Sequence, residues 1–356
     1  AMAQCVVIAD DLTGGNAAGV QLRRSGFKVL SVLDDRCLEE AAQGAHDCLI
    51  YATDSRAISA DEAYARVAAA ARRLNCREAR LCSKRIDTTL RGNLGAETDA
   101  LLDCLGEDYI ALAVPSFPTS GRVVVGGYLL VQGRLLHKTD IAVDPKCPVK
   151  QSETAEVFRQ QSKYKVATVT FADMMEDAAA LALTLRSRVN DGARIICCDA
   201  LTQEDLDLLA EAALASGLKL ALVDAGGFTA TLARKLLKPA GSAAQGRILA
   251  TVGSVHPLTA IQIKQLLLSQ PLFSEEVSSV ELLESPQRRE AEISRVVEAV
   301  AAGGAEHRVC VVVGDGLDFN KRINFDYYGS KLGLGMEAIS GLLNDSFADV
   351  CNVEND

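Results

Sequence analysis

The sequence predicts an α/β fold in two domains, each with a mostly parallel sheet flanked by helices, and a ligand cleft between them. Three observations carry this expectation. Short apolar runs alternate with amphipathic stretches of helical period along nearly the whole chain. Hydrophobic residues make up 49% of the chain but aromatics only 4%, with no Trp, so Ala, Leu and Val build the interior. At 356 residues the chain is long for a single core.

The elements follow in order. Strands are expected at 4–9, 28–33, 47–52, 79–83, 109–114, 165–171, 193–198, 219–223, 247–252, 276–280 and 308–313. Helical period marks 16–25, 60–74, 95–105, 174–189, 203–216, 228–237, 257–268, 285–301 and 334–345. Residues 115–150 break the rhythm with Pro, Gly and short β-branched runs, which predicts a hairpin excursion. KPAGSAAQG at 238–246 is small and polar and reads as the linker, giving domains 1–238 and 239–356.

Bulk properties narrow the function. A net charge of −10 argues against a general nucleic-acid or membrane binder, since both need a positive field. A local basic patch can still hold a small anion. The 11 cysteines are scattered without CxxC spacing, as expected of reduced, buried thiols in a cytoplasmic protein. The N-terminus enters a strand at once, without a signal peptide, and no run is long enough to span a membrane. The four histidines do not cluster, so no protein metal site is expected.

Five stretches could carry chemistry. In QCVVIADDLTGGN an apolar run ends in Asp10 and Asp11, followed by Thr13 and two glycines. Paired carboxylates at a strand end suit sugar hydroxyls, a proton or Mg2+; the alternative is a solvated turn with one acid capping the helix. YATDSR places Asp54 and Arg56 after another strand. SKRIDTTLRGN gathers Lys84, Arg85, Asp87, Thr89 and Arg91, a density of forked cations that suits an anion. SFPTSGR ends in Arg122, and His137 lies in the LLHKTD that comes later. Past the linker, ATVGSVHPLTAIQI runs a strand through Gly253, Ser254 and His256 into a helix, either an anion site or a plain capped turn. Neither GxxxxGK[ST] nor GxGxxG occurs.

Together ADDLTGGNAAG, TDSR, KRIDTTLRGN, AVPSFPTSGR, LHKTDIAVDP and VGSVHPLTAIQI resemble, in order over about residues 4–265, the four-carbon acid sugar kinases, which include D-threonate, D-erythronate and 3-oxo-tetronate kinases. The resemblance implies an N-terminal sugar-acid-binding domain and a C-terminal nucleotide-binding domain. It also implies ATP-dependent phosphorylation of the terminal hydroxyl of a four-carbon acid, with Mg2+ bridging the ATP oxygens. Carried over, Asp10, Asp11, Thr13, Asp54, Arg56, Lys84, Asp87 and Arg91 line the substrate cleft, and Gly253, Ser254 and His256 face ATP. On this reading Lys84, Arg85 and Arg91 clamp the carboxylate, while Asp10 or Asp11 orients or deprotonates the attacking hydroxyl.

Departures from the family are His256, where a small hydroxyl residue is usual, and DAGGFT at 224–229. The family's Gly-Gly-(Asp/Glu)-Thr-Ser-Gly and Ser-Gly-Asn-Phe-Gly stretches do not occur, so the C-terminal domain is expected to be incomplete. The alternative function is a sugar-acid-binding pseudokinase or sensor. A Rossmann-type oxidoreductase is weaker, for want of a glycine fingerprint. The expected partner is a small sugar acid rather than nucleic acid or membrane, with a homodimer as a possible assembly.

Overall fold

The computed structural model describes residues 3–239, 248–269 and 271–352. Most of the 238–246 stretch expected as the linker lies outside the described residues. The chain divides into two compact units, Ala1–Ala243 and Ala244–Asp356.

The first unit runs β1 (Cys5–Ala9), α1 (Leu12–Arg24), β2 (Val29–Val32), α2 (Leu38–Gln43), β3 (Cys48–Ala52), α3 (Ala60–Arg73), β4 (Leu81–Arg85), α4 (Leu94–Leu105) and β5 (Tyr109–Val114). It continues β6 (Arg122–Val125), β7 (Tyr128–Val131), β8 (Arg134–Leu135), α5 (Thr154–Gln161), β9 (Val166–Val169), α6 (Ala178–Asn190), β10 (Ile195–Cys198), α7 (Gln203–Ser216), β11 (Lys219–Asp224) and α8 (Gly227–Leu236). Eight strands pair in the order β2-β3-β1-β4-β11-β5-β10-β9, every pair parallel. The 115–150 excursion is a small antiparallel sheet, β6-β7-β8.

Helices cover both faces of the large sheet, which is why all five residues of β1 are buried. One face packs Val67, Leu101 and Phe158 from α3, α4 and α5. The other packs Leu22, Leu185, Leu209 and Phe228 from α1, α6, α7 and α8. The chain moves outward from β1 to β2 and β3, then crosses to β4 on the other side of β1. The carboxyl ends of β1 and β4 therefore flank the switch point, where open α/β sheets bind ligands.

Two boundaries differ from the sequence expectation in ways that matter for the site. Helix α1 begins four residues earlier than its apolar period, because Asp11 caps it by accepting the Gly14 N–H at 2.9 Å. Strand β4 runs on through Lys84 and Arg85, so the strand alternation sends their side chains to opposite faces.

The second unit contains β12 (Ile248–Val252), α9 (Pro257–Ser269), β13 (Phe273–Val277), α10 (Ser279–Glu284), α11 (Pro286–Gly303), β14 (Val309–Gly314), α12 (Phe325–Leu332) and α13 (Met336–Asn352). Its parallel sheet has the order β12-β14-β13. Strand β13 sits three residues earlier than expected because Ser278 leaves the sheet to cap α10, accepting the Glu281 N–H. Among the described residues no helix is long and apolar enough to cross a membrane.

Candidate functional site

Parallel pairing of β1 with β3 and β4 brings three sequence-distant loops to one end of the sheet. Asp10 leaves β1 with its N–H directed to the Arg85 carbonyl, and its own carbonyl accepts the Ser55 N–H at 3.0 Å. The Asp10 carboxylate is 2% exposed. Its Oδ2 accepts the Arg56 Nε–H at 2.6 Å, whereas its buried Oδ1 has no hydrogen-bond partner among the described residues. Asp11, more open, binds Arg56 Nη2 at 2.9 Å while capping α1.

Arg85 rises from the end of β4 between these acids. Its Nη1 lies 3.7 Å from both Asp10 Oδ1 and Asp11 Oδ1, close enough for charge attraction but beyond hydrogen-bond distance. Its buried Nε also lacks a partner among the described residues. Gly14 makes room for this guanidinium: a Cβ there would stand 1.9 Å from Arg85 Nη1. A buried donor and a buried acceptor, side by side and both unsatisfied, are rare in a structural core and typical of a site shaped for a ligand.

The 87–91 loop is bound tightly to itself. Arg91 grips Asp87 with two hydrogen bonds, Nε to Oδ2 at 2.8 Å and Nη2 to Oδ1 at 3.2 Å, and reaches Asp144 at 3.1 Å. Burial pushes the Asp87 carboxyl up, but the Arg91 hydrogen bond, the Arg56 charge and the Thr89 hydroxyl outweigh it and hold the carboxyl at about 2. The Arg91 guanidinium is held above its ordinary range by the same Asp87 hydrogen bond.

The structure thus brings together Asp10, Asp11, Arg56, Arg85, Asp87 and Arg91, but not every residue picked from the sequence. Lys84 points to the α4 face, where its fully buried Nζ meets Glu97 Oε2 at 2.7 Å and donates to the Arg85 carbonyl at 2.9 Å. Its ammonium is engaged in a buried ion pair on the α4 face rather than turned towards Asp10 and Asp11. Asp54 is exposed with a left-handed φ of +46°, and its carbonyl accepts from Arg66 Nη1 beside a different cavity, near Asp34 and Arg73. Thr13 stands exposed in the first turn of α1. Arg122 donates within its own loop to the Ser120 carbonyl, and His137 pairs with Ser152.

In the second unit, Gly253 lines a cavity of about 350 Å3 with Val255, Gly314, Arg322, Ile323 and Phe325, at the carboxyl ends of β12 and β14. Ser254 and His256 do not line it. Ser254 Oγ accepts the His256 N–H at 3.2 Å, and His256 Nδ1 accepts the Leu258 N–H at 3.1 Å, capping α9. Sequence reasoning missed Glu97, Asp144, Lys146 and Lys150; the one signal for the last two was PKCPVK, a basic segment without an acid.

A polar cluster at the switch point of a parallel sheet marks a small-molecule-binding α/β protein. Residues 5–232 match the family described as the sugar-binding N-terminal domain. The chain is 42% identical over 312 residues to the D-erythronate kinase of Heliobacterium modesticaldum, covering 86% of this chain and 70% of the relative. It is 32% identical over 308 residues to the D-threonate kinase of Salmonella typhimurium, covering 85% and 70%. A solved domain of unknown function from Bordetella bronchiseptica, a domain-swapped dimer with bound citrate, superposes with a TM-score of 0.57 at 26% identity, covering 87% of this chain and 74% of that one. The chain belongs to the four-carbon acid sugar kinase family.

Proposed function

We propose that this chain transfers a phosphoryl group from ATP to the terminal hydroxyl of a four-carbon sugar acid, erythronate or threonate before 3-oxo-tetronate. The observation that carries the reading is the pairing of Asp10 Oδ1 with the Arg85 guanidinium, both buried and unsatisfied at the switch point. An acceptor beside a cation suits a hydroxyl about to become a phosphate ester.

Asp10 is the base on this reading. Asp11 already serves Gly14 and Arg56, whereas Asp10 Oδ1 is available to take the hydroxyl proton. As the proton moves to Oδ1, the substrate oxygen bonds the γ-phosphorus and the bond to the ADP oxygen breaks. Phosphoryl transfer needs alignment and charge neutralisation more than a strong base, and Arg85 meets the gathering negative charge. Arg56, Asp87 and Arg91 hold the loops in place.

The first unit, expected as residues 1–238, binds the acid, and the second, 239–356, binds the nucleotide. The cavity at Gly253 and Gly314 supports this, being of ligand size and placed where parallel sheets bind ligands. Among the described residues no group of three His, Cys, Asp or Glu converges on one point, so Mg2+ in this proposal is held mainly through donor phosphate oxygens and water. A cytoplasmic homodimer belongs to the same proposal, the dimer supported by the solved relative.

The test is ATP turnover with erythronate, threonate and 3-oxo-tetronate. Asp10→Asn is expected to lower kcat by about 100-fold or more, the usual weight of a positioned base. Failure to phosphorylate any of the three acids, or unchanged rates in both Asp10→Asn and Arg85→Ala, overturns the proposal. Acid binding without turnover instead favours a sugar-acid sensor.

A further inference from the structure

We infer that the cavity beside Arg56 is the carboxylate subsite of the sugar acid, and that Lys146 and Lys150 set specificity for an acid over a neutral polyol. The inference rests on the sugar-acid reading above. It begins from the burial of Lys84 against Glu97. Of the cations that the sequence assigns to the carboxylate, Lys84 is engaged by Glu97 and Arg91 by Asp87 and Asp144, while Arg85 stands at the hydroxyl end beside Asp10 and Asp11; Arg56, expected in the same cleft, is held by Asp10 and Asp11. A substrate carboxylate needs cations that are free to meet it.

The cavity holds about 310 Å3 and lies between the 56–58 loop, the 90–93 loop, the 146–151 segment and α5. Its charged lining residues are Arg56, Lys146 and Lys150, with no Asp or Glu among them. That is a purely cationic wall in a chain of net charge −10. Both lysines are exposed, and neither ammonium makes an ion pair among the described residues. Amides complete the wall, including Gln151, Gln160 and Gln161. Such a mixture suits a carboxylate flanked by hydroxyls.

The lysine segment is built onto the proposed active site. Asp144 Oδ1 accepts the N–H groups of Lys146 at 3.0 Å and Cys147 at 2.8 Å, while its Oδ2 receives Arg91. The Cys147 thiol donates to the Arg56 carbonyl at 3.4 Å. Asn93 ties the facing loops together, donating to the Ser55 and Ile58 carbonyls, both at 2.9 Å. Arg56 therefore belongs to both places: its guanidinium meets Asp10 and Asp11, and the residue also lines the cavity. An acid bound with its terminal hydroxyl at Asp10 has its other end to place, and the lysines supply the matching charge.

The test is calorimetry and steady-state kinetics on the full chain with erythronate, threonate and the neutral tetritol erythritol. Lys146→Ala/Lys150→Ala is expected to raise Kd and KM for the acids about tenfold or more and to leave kcat within about twofold, the pattern of lost ground-state binding to a charged group. Its effect on erythritol is expected to be nil. Lys146→Arg/Lys150→Arg restores acid binding, as a merely structural role would not require. Lys219→Ala, at the opposite end of β11, changes nothing. Unchanged acid affinity in the double Ala variant of an active enzyme overturns the subsite and leaves the kinase reading standing. If the native chain neither binds nor phosphorylates any of the acids, the kinase reading falls and the subsite falls with it.

Discussion

Lys84 offers a sharp test, because sequence and structure give it different tasks. If it clamps substrate, its loss weakens KM and leaves stability alone. In the structure its Nζ is 0% exposed and 2.7 Å from Glu97 Oε2, itself 1% exposed. Beyond the Arg85 carbonyl, which accepts from Lys84 Nζ, the pair has little else to rely on: Glu97 Oε1 and the neighbouring Thr98 hydroxyl have no partner among the described residues. Removing one partner strands a charge in a dry interior and is expected to cost about 3–5 kcal/mol. For a unit of this size that corresponds to about 6–20 °C in Tm. Lys84→Met and Glu97→Leu should each show that loss in urea melts. The double change removes both charges together and should recover most of it. Its KM for the sugar acid should stay within about threefold of native, since the Lys84 ammonium is buried against Glu97 and the Arg85 carbonyl. Single variants that lose under about 1 kcal/mol refute the buried-pair reasoning. A stable double variant with a steeply raised KM returns Lys84 to the substrate.

Three further outcomes follow from the same geometry. Gly14→Ala puts a Cβ 1.9 Å from Arg85 Nη1 and 2.6 Å from Asp11 Oδ1, so it should lower kcat/KM by about tenfold or more while Tm moves only a few degrees, Ala being the better helix former. Asp87 is held at about 2, below its unfolded value of 3.8, so its contribution is full above about pH 4 and is lost as the pH falls towards 2. That contribution is about 2 kcal/mol, and Asp87→Asn should flatten the acid limb of the stability curve accordingly. Burial pushes the Cys197 thiol up to about 12, so at pH 8 a disulfide reagent should label exposed Cys37 quickly and Cys197 only on unfolding. Prompt labelling of Cys197 in the folded chain contradicts the buried β10 assignment.

Much of the fold was legible because parallel strands buried on both faces leave a strong mark. Runs such as Val6-Val7-Ile8 and Ile195-Ile196-Cys197-Cys198 have little choice but the sheet interior. The helices missed were short ones: α2, α5, α10 and α12 are six to eight residues long, too few for a clear helical period. The start of α1 was missed because a cap, not a period, sets it: Asp11 holds the Gly14 N–H and draws Leu12 and Thr13 into the helix.

The site was legible as a set of loops but not as a set of contacts, and the reason is a single strand register. Reading β4 as ending at Ser83 leaves Lys84 and Arg85 on a loop, where both could reach one ligand. Two more residues of strand send one to Glu97 and the other to Asp10. Nothing local in SKRID announces this, because the residue that draws Lys84 inward is Glu97 on the next helix. The same reasoning ranks the cations at this end of the sheet. Arginines that grip carboxylates, as Arg91 grips Asp87 and Asp144, fix the loops and gain little from a ligand. Arg85, with an Nε unsatisfied among the described residues, and Lys146 and Lys150, without ion pairs among them, have the most to gain. Recognition of an acid should therefore track substitutions at Lys146 and Lys150 in KM, whereas substitutions at Arg85, beside the attacking hydroxyl, should appear in kcat. Substitutions at Arg91 should appear first as lost loop order and lower stability.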